Sequence, residues 1–235
     1  MNGREIRFGI GGVLCVVLIA VLAGSWAQAE SPPAWMLAPP VSGDIGPELP
    51  LELAAEAEGP LALLGHAIGK ELNITCQALT SEGVLLKTAG ASSGKLIFSG
   101  CKVTTNGGEV LPACEPHIGT EKGVIKTVAL KGSIVLSEGK PLERIVPVEG
   151  TKFVTIETTS SCAFGEKIPI LGTFNAKDAN GEFEVEKPIH RFEAGPLPEL
   201  WVISKTEEHK AGASGSVSVK LAGEHKGRGW NGLAS

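Results

Sequence analysis

The chain has 235 residues, of which 21 are basic and 26 acidic, and its net charge at neutral pH is −5. A nucleic acid partner requires a basic face that neutralises phosphates, and the sequence contains no block of basic residues. We therefore expect no nucleic acid partner. The length suffices for one sizeable core, and the 31 glycines favour short segments joined by turns.

Residues 1–29 have the pattern of an export signal. Two arginines precede the uncharged, mostly apolar run 8–24, and Ala27 and Ala29 are the small residues that a signal peptidase recognises. A single membrane anchor is the alternative, but the run has 17 residues, at the lower end of the spanning range, and no basic flank follows it. We expect cleavage after Ala29, and contact with a membrane only if this segment is retained.

Cleavage there removes Cys15 and leaves four cysteines, 19 basic and 25 acidic residues, a net charge of −6. An even number of cysteines in an exported chain predicts disulfides, because thiols outside the membrane are not kept reduced. We expect a secreted or cell-surface protein that binds an extracellular or cell-surface ligand.

Residues 30–59 form a leader that contains six prolines. Proline lacks a backbone donor and interrupts regular hydrogen-bond ladders. We interpret this segment as an extended or mobile linker in which Trp35 and Met36 face solvent, and in which residues 51–58 can form a short helical turn.

Residues 60–235 are predicted to form one all-β domain. Short runs of β-branched and apolar residues alternate with glycine-rich turns, and no helical period lasts three turns. The alternation is clearest where Val217, Val219 and Leu221 share one face. We expect an antiparallel β-sandwich or barrel of about 10–12 short strands, stapled by disulfides. Strands are predicted at 61–64, 72–76, 83–88, 95–103, 124–129, 132–136, 151–158, 168–174, 182–186, 189–193, 200–204 and 215–221.

Four cysteines fall in this domain: Cys76, Cys101, Cys114 and Cys162. They allow three pairings, and the sequence alone does not choose among them. We favour Cys76–Cys101 with Cys114–Cys162, because a predicted strand and turn within 77–100 can return the chain to its starting point. No pair has the spacing of a redox motif, and Cys114 with the histidine three positions later lacks the second pair that a zinc site needs.

Several phrases of this domain carry a resemblance to a known group. In order and spacing they are similar to a group of predicted exported proteins of soil actinobacteria related to Solirubrobacter, over residues 60–232. The resemblance implies an exported β-rich domain with paired cysteines, and it supplies no catalytic residue. The phrases are NITC (73–76), GKLIFSGC (94–101), ACEP (113–116), GVIKTVALKG (123–132), IPILGT (168–173) and GSVSVKLAGEHKGRGW (215–230).

Catalytic patterns in the domain are weak. Residues 90–94 match G-x-S-x-G around Ser92, but that motif needs a strand, an elbow and a helix, whereas a strand follows here, so we interpret 90–94 as a hairpin loop. Only two aspartates occur against 24 glutamates, so a serine–histidine–aspartate triad would have to use Asp178 or a glutamate. Calcium binding near Asp178 would need a full loop of alternating ligands, which is absent. We expect no metal, cofactor or catalytic site.

Two functions remain open at this point. The first is a non-enzymatic exported β domain with a binding or structural role at or outside the cell surface. The second is an extracellular hydrolase that acts on a polymer through glutamate or histidine residues. A concave pocket with at least two convergent titratable residues would favour the hydrolase.

Overall fold

The computed structural model describes residues 33–37, 51–67, 70–87, 89–105, 107–195, 199–204 and 207–233. These residues form 19 strands and two short 3₁₀ helices, Pro112–Cys114 and Gly223–His225, and within them there is no α-helix. None of their helices is long and apolar enough to cross a membrane.

The strands in chain order are β1 (Ala34–Leu37), β2 (Leu51–Ala57), β3 (Leu61–Ala67), β4 (Lys70–Cys76), β5 (Ala78–Leu86), β6 (Ala91–Ser99), β7 (Lys102–Thr104), β8 (His117–Ile118), β9 (Glu121–Lys122), β10 (Ile125–Lys126), β11 (Leu130–Ser137), β12 (Lys140–Pro147), β13 (Lys152–Glu157), β14 (Lys167–Asp178), β15 (Ile189–Ala194), β16 (Glu199–Ser204), β17 (Glu207–Ser214), β18 (Ser216–Leu221) and β19 (Trp230–Leu233).

Eight of these strands form a closed antiparallel barrel. Their order around the ring is β12-β11-β6-β5-β2-β18-β15-β14, and pairing of β14 with β12 closes it. At the closure, Glu143 lies opposite Ala176 and Ile145 lies opposite Phe174. A closed ring leaves no unpaired strand edge. The predicted all-β fold with disulfides is confirmed as a barrel with additional strands, several of which are only two residues long.

Strand β14 is 12 residues long and belongs to two sheets. Its second half pairs with β12 and β15 of the barrel, while its first half pairs with β13 and β16. From β16 a second sheet continues through β17, β3 and β4 to β7. Ile74, Ile168, Ile170 and Val202 of this sheet are buried in the largest apolar core cluster, which also contains barrel residues such as Leu130. The second sheet therefore shares this core with the barrel.

The first and last described strands close one end of the barrel. β1 pairs antiparallel with β19, and the ring centroids of Trp35 lie 5.5 Å from Phe183 and 5.8 Å from Trp230. Trp35 Nε1 donates a hydrogen bond of 2.7 Å to the carbonyl oxygen of Ala91, at the start of β6. These rings, here called the aromatic plug (Trp35, Phe183 and Trp230), share a cluster with barrel residues such as Leu86, Ile134 and Leu221.

Two segments of the predicted leader therefore belong to the fold. Trp35 is 1% exposed, and the interpretation that it faces solvent is wrong. The helical turn predicted at 51–58 is also wrong, since β2 lies in the barrel and its Leu53 and Ala55 are buried. Pro33, the one described proline of the leader, directly precedes β1. Residues 1–32, with the predicted signal peptide, lie outside the described residues.

Other strand predictions need correction. Residues 182–186 form a turn, in which the Val185 amide donates to the Glu182 carbonyl at 2.9 Å, and the predicted strand there is wrong. The predicted strand 95–103 is two strands, because Gly100 adopts a φ of 63° between β6 and β7. Strands β12 and β17 were not predicted, because charged and small residues interrupt their apolar alternation.

Both disulfides have the favoured pairing. Cys76 is bonded to Cys101 and Cys114 to Cys162, with sequence separations of 25 and 48 residues. On the chain-entropy model, loops of these sizes stabilise the fold by about 3–4 kcal/mol each. Disulfides persist where thiols are not kept reduced, so the pair indicates an oxidising compartment.

Replacing Trp35 with alanine should destabilise the protein by about 3–5 kcal/mol, because it empties the centre of the aromatic plug. Met36, the next residue of β1, is only partly buried, and Met36→Ala should cost less than about 1 kcal/mol. Urea denaturation gives the free energy of unfolding of each variant. Equal, small effects of both substitutions would show that β1 is not part of the stable fold.

Candidate functional site: a cavity inside the barrel

A cavity of about 240 Å³ lies in the barrel interior, where the three apolar core clusters meet, and residues of the second sheet such as Leu63, Ile74 and Ala213 also line it. The interior of an eight-stranded barrel is wide enough to be filled by side chains or to hold one small ligand. Here small residues on the wall leave the space open: Ala55, Gly132, Ala176 and Ala213. The larger side chains on the wall are mostly apolar, among them Leu79, Phe98, Phe174, Phe192 and Val219.

One hydrogen-bonded polar pair lines the cavity. Ser92 on β6 and Glu143 on β12 are joined through Ser92 Oγ and Glu143 Oε1, and both residues line the space. Gly132 on β11, the strand between them, lies opposite Ser92. A Cβ atom at Gly132 would overlap both oxygen atoms of the pair. The glycine therefore makes room for the pair inside the barrel.

The other charged residues on the wall direct their side chains outward. Lys131 is exposed between the buried Leu130 and Gly132, as strand alternation requires. Glu193 forms an ion pair with Lys177, with 3.0 Å between Oε1 and Nζ, and both side chains are substantially exposed. Within the part of the chain that the structure describes, Glu143 is thus the one ionisable side chain that faces the cavity.

Burial raises the pKa of Glu143, and the hydrogen bond with Ser92 offsets this rise to a smaller degree. Glu143 is half-buried as a residue and lines the cavity, and protein atoms surround its carboxyl group. The residues opposite it on β11 and β14 are Ile134 and Ala176, neither of which titrates. Because desolvation disfavours the charged form and no described cation offsets it, Glu143 keeps its proton to a higher pH than an exposed glutamate does.

A second buried polar group lies against the aromatic plug and away from the cavity wall. His190 Nδ1 lies 3.1 Å from Asp178 Oδ2, and His190 Nε2 donates a hydrogen bond of 2.7 Å to the Trp230 carbonyl oxygen. The structure thus pairs Asp178 with a histidine, as a catalytic triad would. Both ring nitrogens are engaged, however, and the ring centroid of Trp230 lies 4.5 Å from that of His190. The pair ties β15 to β19 and leaves no nitrogen for a serine.

The sites considered for metals are occupied by protein contacts. Asp178 Oδ1 accepts hydrogen bonds from the amides of Asn180 and Glu182, at 3.0 and 3.1 Å, which is a turn contact. Cys114 is in a disulfide and is not free to bind zinc. Among the described residues, no group of three or more histidine, cysteine, aspartate or glutamate side chains could hold a metal ion.

Of the polar pair, only Ser92 has a signal in the sequence, which is the G-x-S-x-G match at residues 90–94. Ser92 lies within β6, so the strand–elbow–helix arrangement of that motif is absent. The hairpin-loop interpretation of residues 90–94 is wrong beyond Gly90. Glu143 had nothing to distinguish it among 24 glutamates. The one signal in the sequence is the segment PLERIV (141–146), in which strand alternation places Glu143 on the same face as the apolar Ile145.

Replacing Glu143 with glutamine should remove a pH dependence of stability. Because the folded state holds this proton more tightly than the unfolded state, the wild type loses stability as the pH rises above the ordinary value of 4.5. The loss is about 1.4 kcal/mol per pH unit until the folded-state pKa is passed. The free energy of unfolding of Glu143→Gln should therefore rise relative to wild type over this window, as measured by urea denaturation at a series of pH values.

Glu82→Gln provides a contrast of opposite sign. Lys126 Nζ lies 2.6 Å from Glu82 Oε2, and this hydrogen bond lowers the pKa of Glu82. The wild type should lose its advantage over Glu82→Gln as the pH falls through the folded-state pKa. A difference between Glu143→Gln and wild type that stays constant with pH would contradict the buried, unpaired state of Glu143.

No family model, characterised protein or solved structure matches the chain. The resemblance of residues 60–232 to exported actinobacterial proteins stays a prediction. The function has to be inferred from the barrel interior and its chemistry.

Proposed function

We propose that the protein is an exported, non-enzymatic binding protein that holds a small, mostly apolar molecule inside its barrel. The cavity of about 240 Å³ with its apolar wall carries this proposal. An apolar cavity of about 150 Å³ in another protein takes up benzene. The space here therefore suffices for a molecule larger than a single unsubstituted ring.

Filling the cavity with an apolar molecule is energetically favourable. The lining is mostly apolar, and a ligand placed there gains dispersion contacts and buries apolar surface.

Export is supported by two independent features of the chain. The first 29 residues have the charged, apolar and small-residue pattern of a signal peptide. The remaining four cysteines form two disulfides, which fit the oxidising conditions outside the membrane. We propose that the barrel binds its ligand there.

A hydrolase is less well supported than a binding protein. Cleavage of a glycosidic polymer generally needs two carboxyl groups at a fixed separation on either side of the scissile bond. The cavity presents one inward carboxyl, Glu143, among the described residues. His190 is fully buried and lies outside the cavity wall.

Ala55→Leu should abolish binding of toluene, a probe of the apolar cavity. Ala55 lines the space, whereas Ala54, its neighbour on β2, does not. Toluene should raise the unfolding temperature of the wild type, because a ligand stabilises the state that binds it by RT ln(1 + [L]/Kd). Thermal unfolding with and without toluene measures the shift.

Ala54→Leu is the matched control, because it adds the same side chain to the outer face of the same strand. It should keep the toluene shift of the wild type, while Ala55→Leu should lose it and remain folded. Absence of a shift in wild type, or an equal shift in both variants, would refute binding in the barrel.

Export should leave a mature protein that begins at Glu30 and contains no free thiol. Expression of the full chain in a bacterial host, followed by mass spectrometry of the exported protein with and without alkylation, tests both points. Ala29→Phe should block cleavage, because the peptidase requires a small residue there, whereas Ser31→Phe should not. An intact N-terminus, or four alkylated cysteines without reduction, would overturn this part of the proposal.

A further inference from the structure

We infer that the cavity selects a neutral, mostly apolar molecule with one hydroxyl or carbonyl oxygen, which hydrogen-bonds to Glu143 and Ser92. This inference rests on the proposed binding function and names the chemistry of the ligand. It follows from the hydrogen-bonding capacity that the polar pair has left over inside an otherwise apolar wall.

The polar pair retains hydrogen-bonding capacity after its internal bond. A serine hydroxyl and a protonated carboxyl together have two donor hydrogens, and the bond between Ser92 Oγ and Glu143 Oε1 uses one. Within the described residues, this bond is the only one that reaches the Glu143 carboxyl. In the protonated form the remaining donor belongs to the Glu143 carboxyl, which lines the cavity among mostly apolar side chains. A ligand oxygen is the group that satisfies it.

An anionic ligand does not fit this wall. A carboxylate or phosphate needs a cation or several donors to offset its desolvation, and the nearest lysine on the wall, Lys131, points outward. A negative charge would also face Glu143 and oppose any ionisation of its carboxyl. A neutral molecule of the same shape avoids both the desolvation cost and the repulsion from Glu143.

A cationic amine is the competing ligand class, because Glu143 could ionise to pair with it. That arrangement buries two charges, and Ser92 is the one described side chain that hydrogen-bonds to Glu143. Desolvation of a buried ion pair often exceeds its Coulomb attraction. The neutral oxygen ligand is therefore favoured. Glu143→Gln should retain the affinity for a neutral oxygen ligand, whereas it should lower the affinity for an amine.

The test compares three probes with one tail: 1-octanol, octanoate and octylamine, each titrated into the full-length protein by calorimetry. We expect 1-octanol to bind at least about tenfold more tightly than either charged probe. A tenfold difference in Kd corresponds to the free energy of one buried hydrogen-bond donor that is satisfied rather than left without a partner. Glu143→Gln keeps a neutral group of the same shape and should retain octanol binding. Glu143→Leu removes the donor and should weaken octanol binding by about tenfold.

Toluene, which has no polar group, separates this inference from the proposed function. It should bind the wild type and Glu143→Gln alike. If toluene fails to bind, the proposed function falls. If toluene binds but octanol shows no preference, or if octylamine binds most tightly and loses affinity in Glu143→Gln, the neutral-oxygen inference alone is overturned.

Discussion

Closure of the barrel depends on one strand. Strand β14 pairs with β12 to complete the ring and with β13 and β16 to start the second sheet. Its backbone hydrogen bonds therefore join the barrel to the second sheet. The alternation of its side chains determines which of its residues face the barrel interior. Ala176 faces that interior next to Glu143, where a larger side chain would take up the space. The existence of a cavity follows from this closure together with small inward residues.

The order of the strands around the ring also explains the chemistry of the polar pair, Ser92 and Glu143. Strands β12, β11 and β6 are neighbours in the ring, and Gly132 on the middle strand leaves room for Ser92 and Glu143 to meet above it. Water solvates that carboxyl less well than it would on the surface, so burial stabilises the neutral form. In its neutral form the carboxyl can donate a hydrogen bond, which a carboxylate cannot.

The fold class and disulfides could be predicted from sequence, because both depend on local signals: alternating apolar runs, glycine-rich turns and an even number of cysteines. The participation of Trp35 could not, because its burial depends on a partner strand at the opposite end of the chain. The position of Glu143 in the barrel interior could not be predicted from the sequence either. Its neighbour across the ring closure is Ala176 on β14, 33 residues away in sequence, and no local pattern encodes that contact.

Pairing of β1 with β19 has a consequence for how the molecule is made. The plug joins Trp35 to Trp230, so during synthesis Trp35 has no partner until the chain has grown as far as Trp230. Contacts between such distant residues form slowly relative to local ones. The barrel therefore lacks this plug until β19 pairs with β1, and that end of the barrel is completed late in folding.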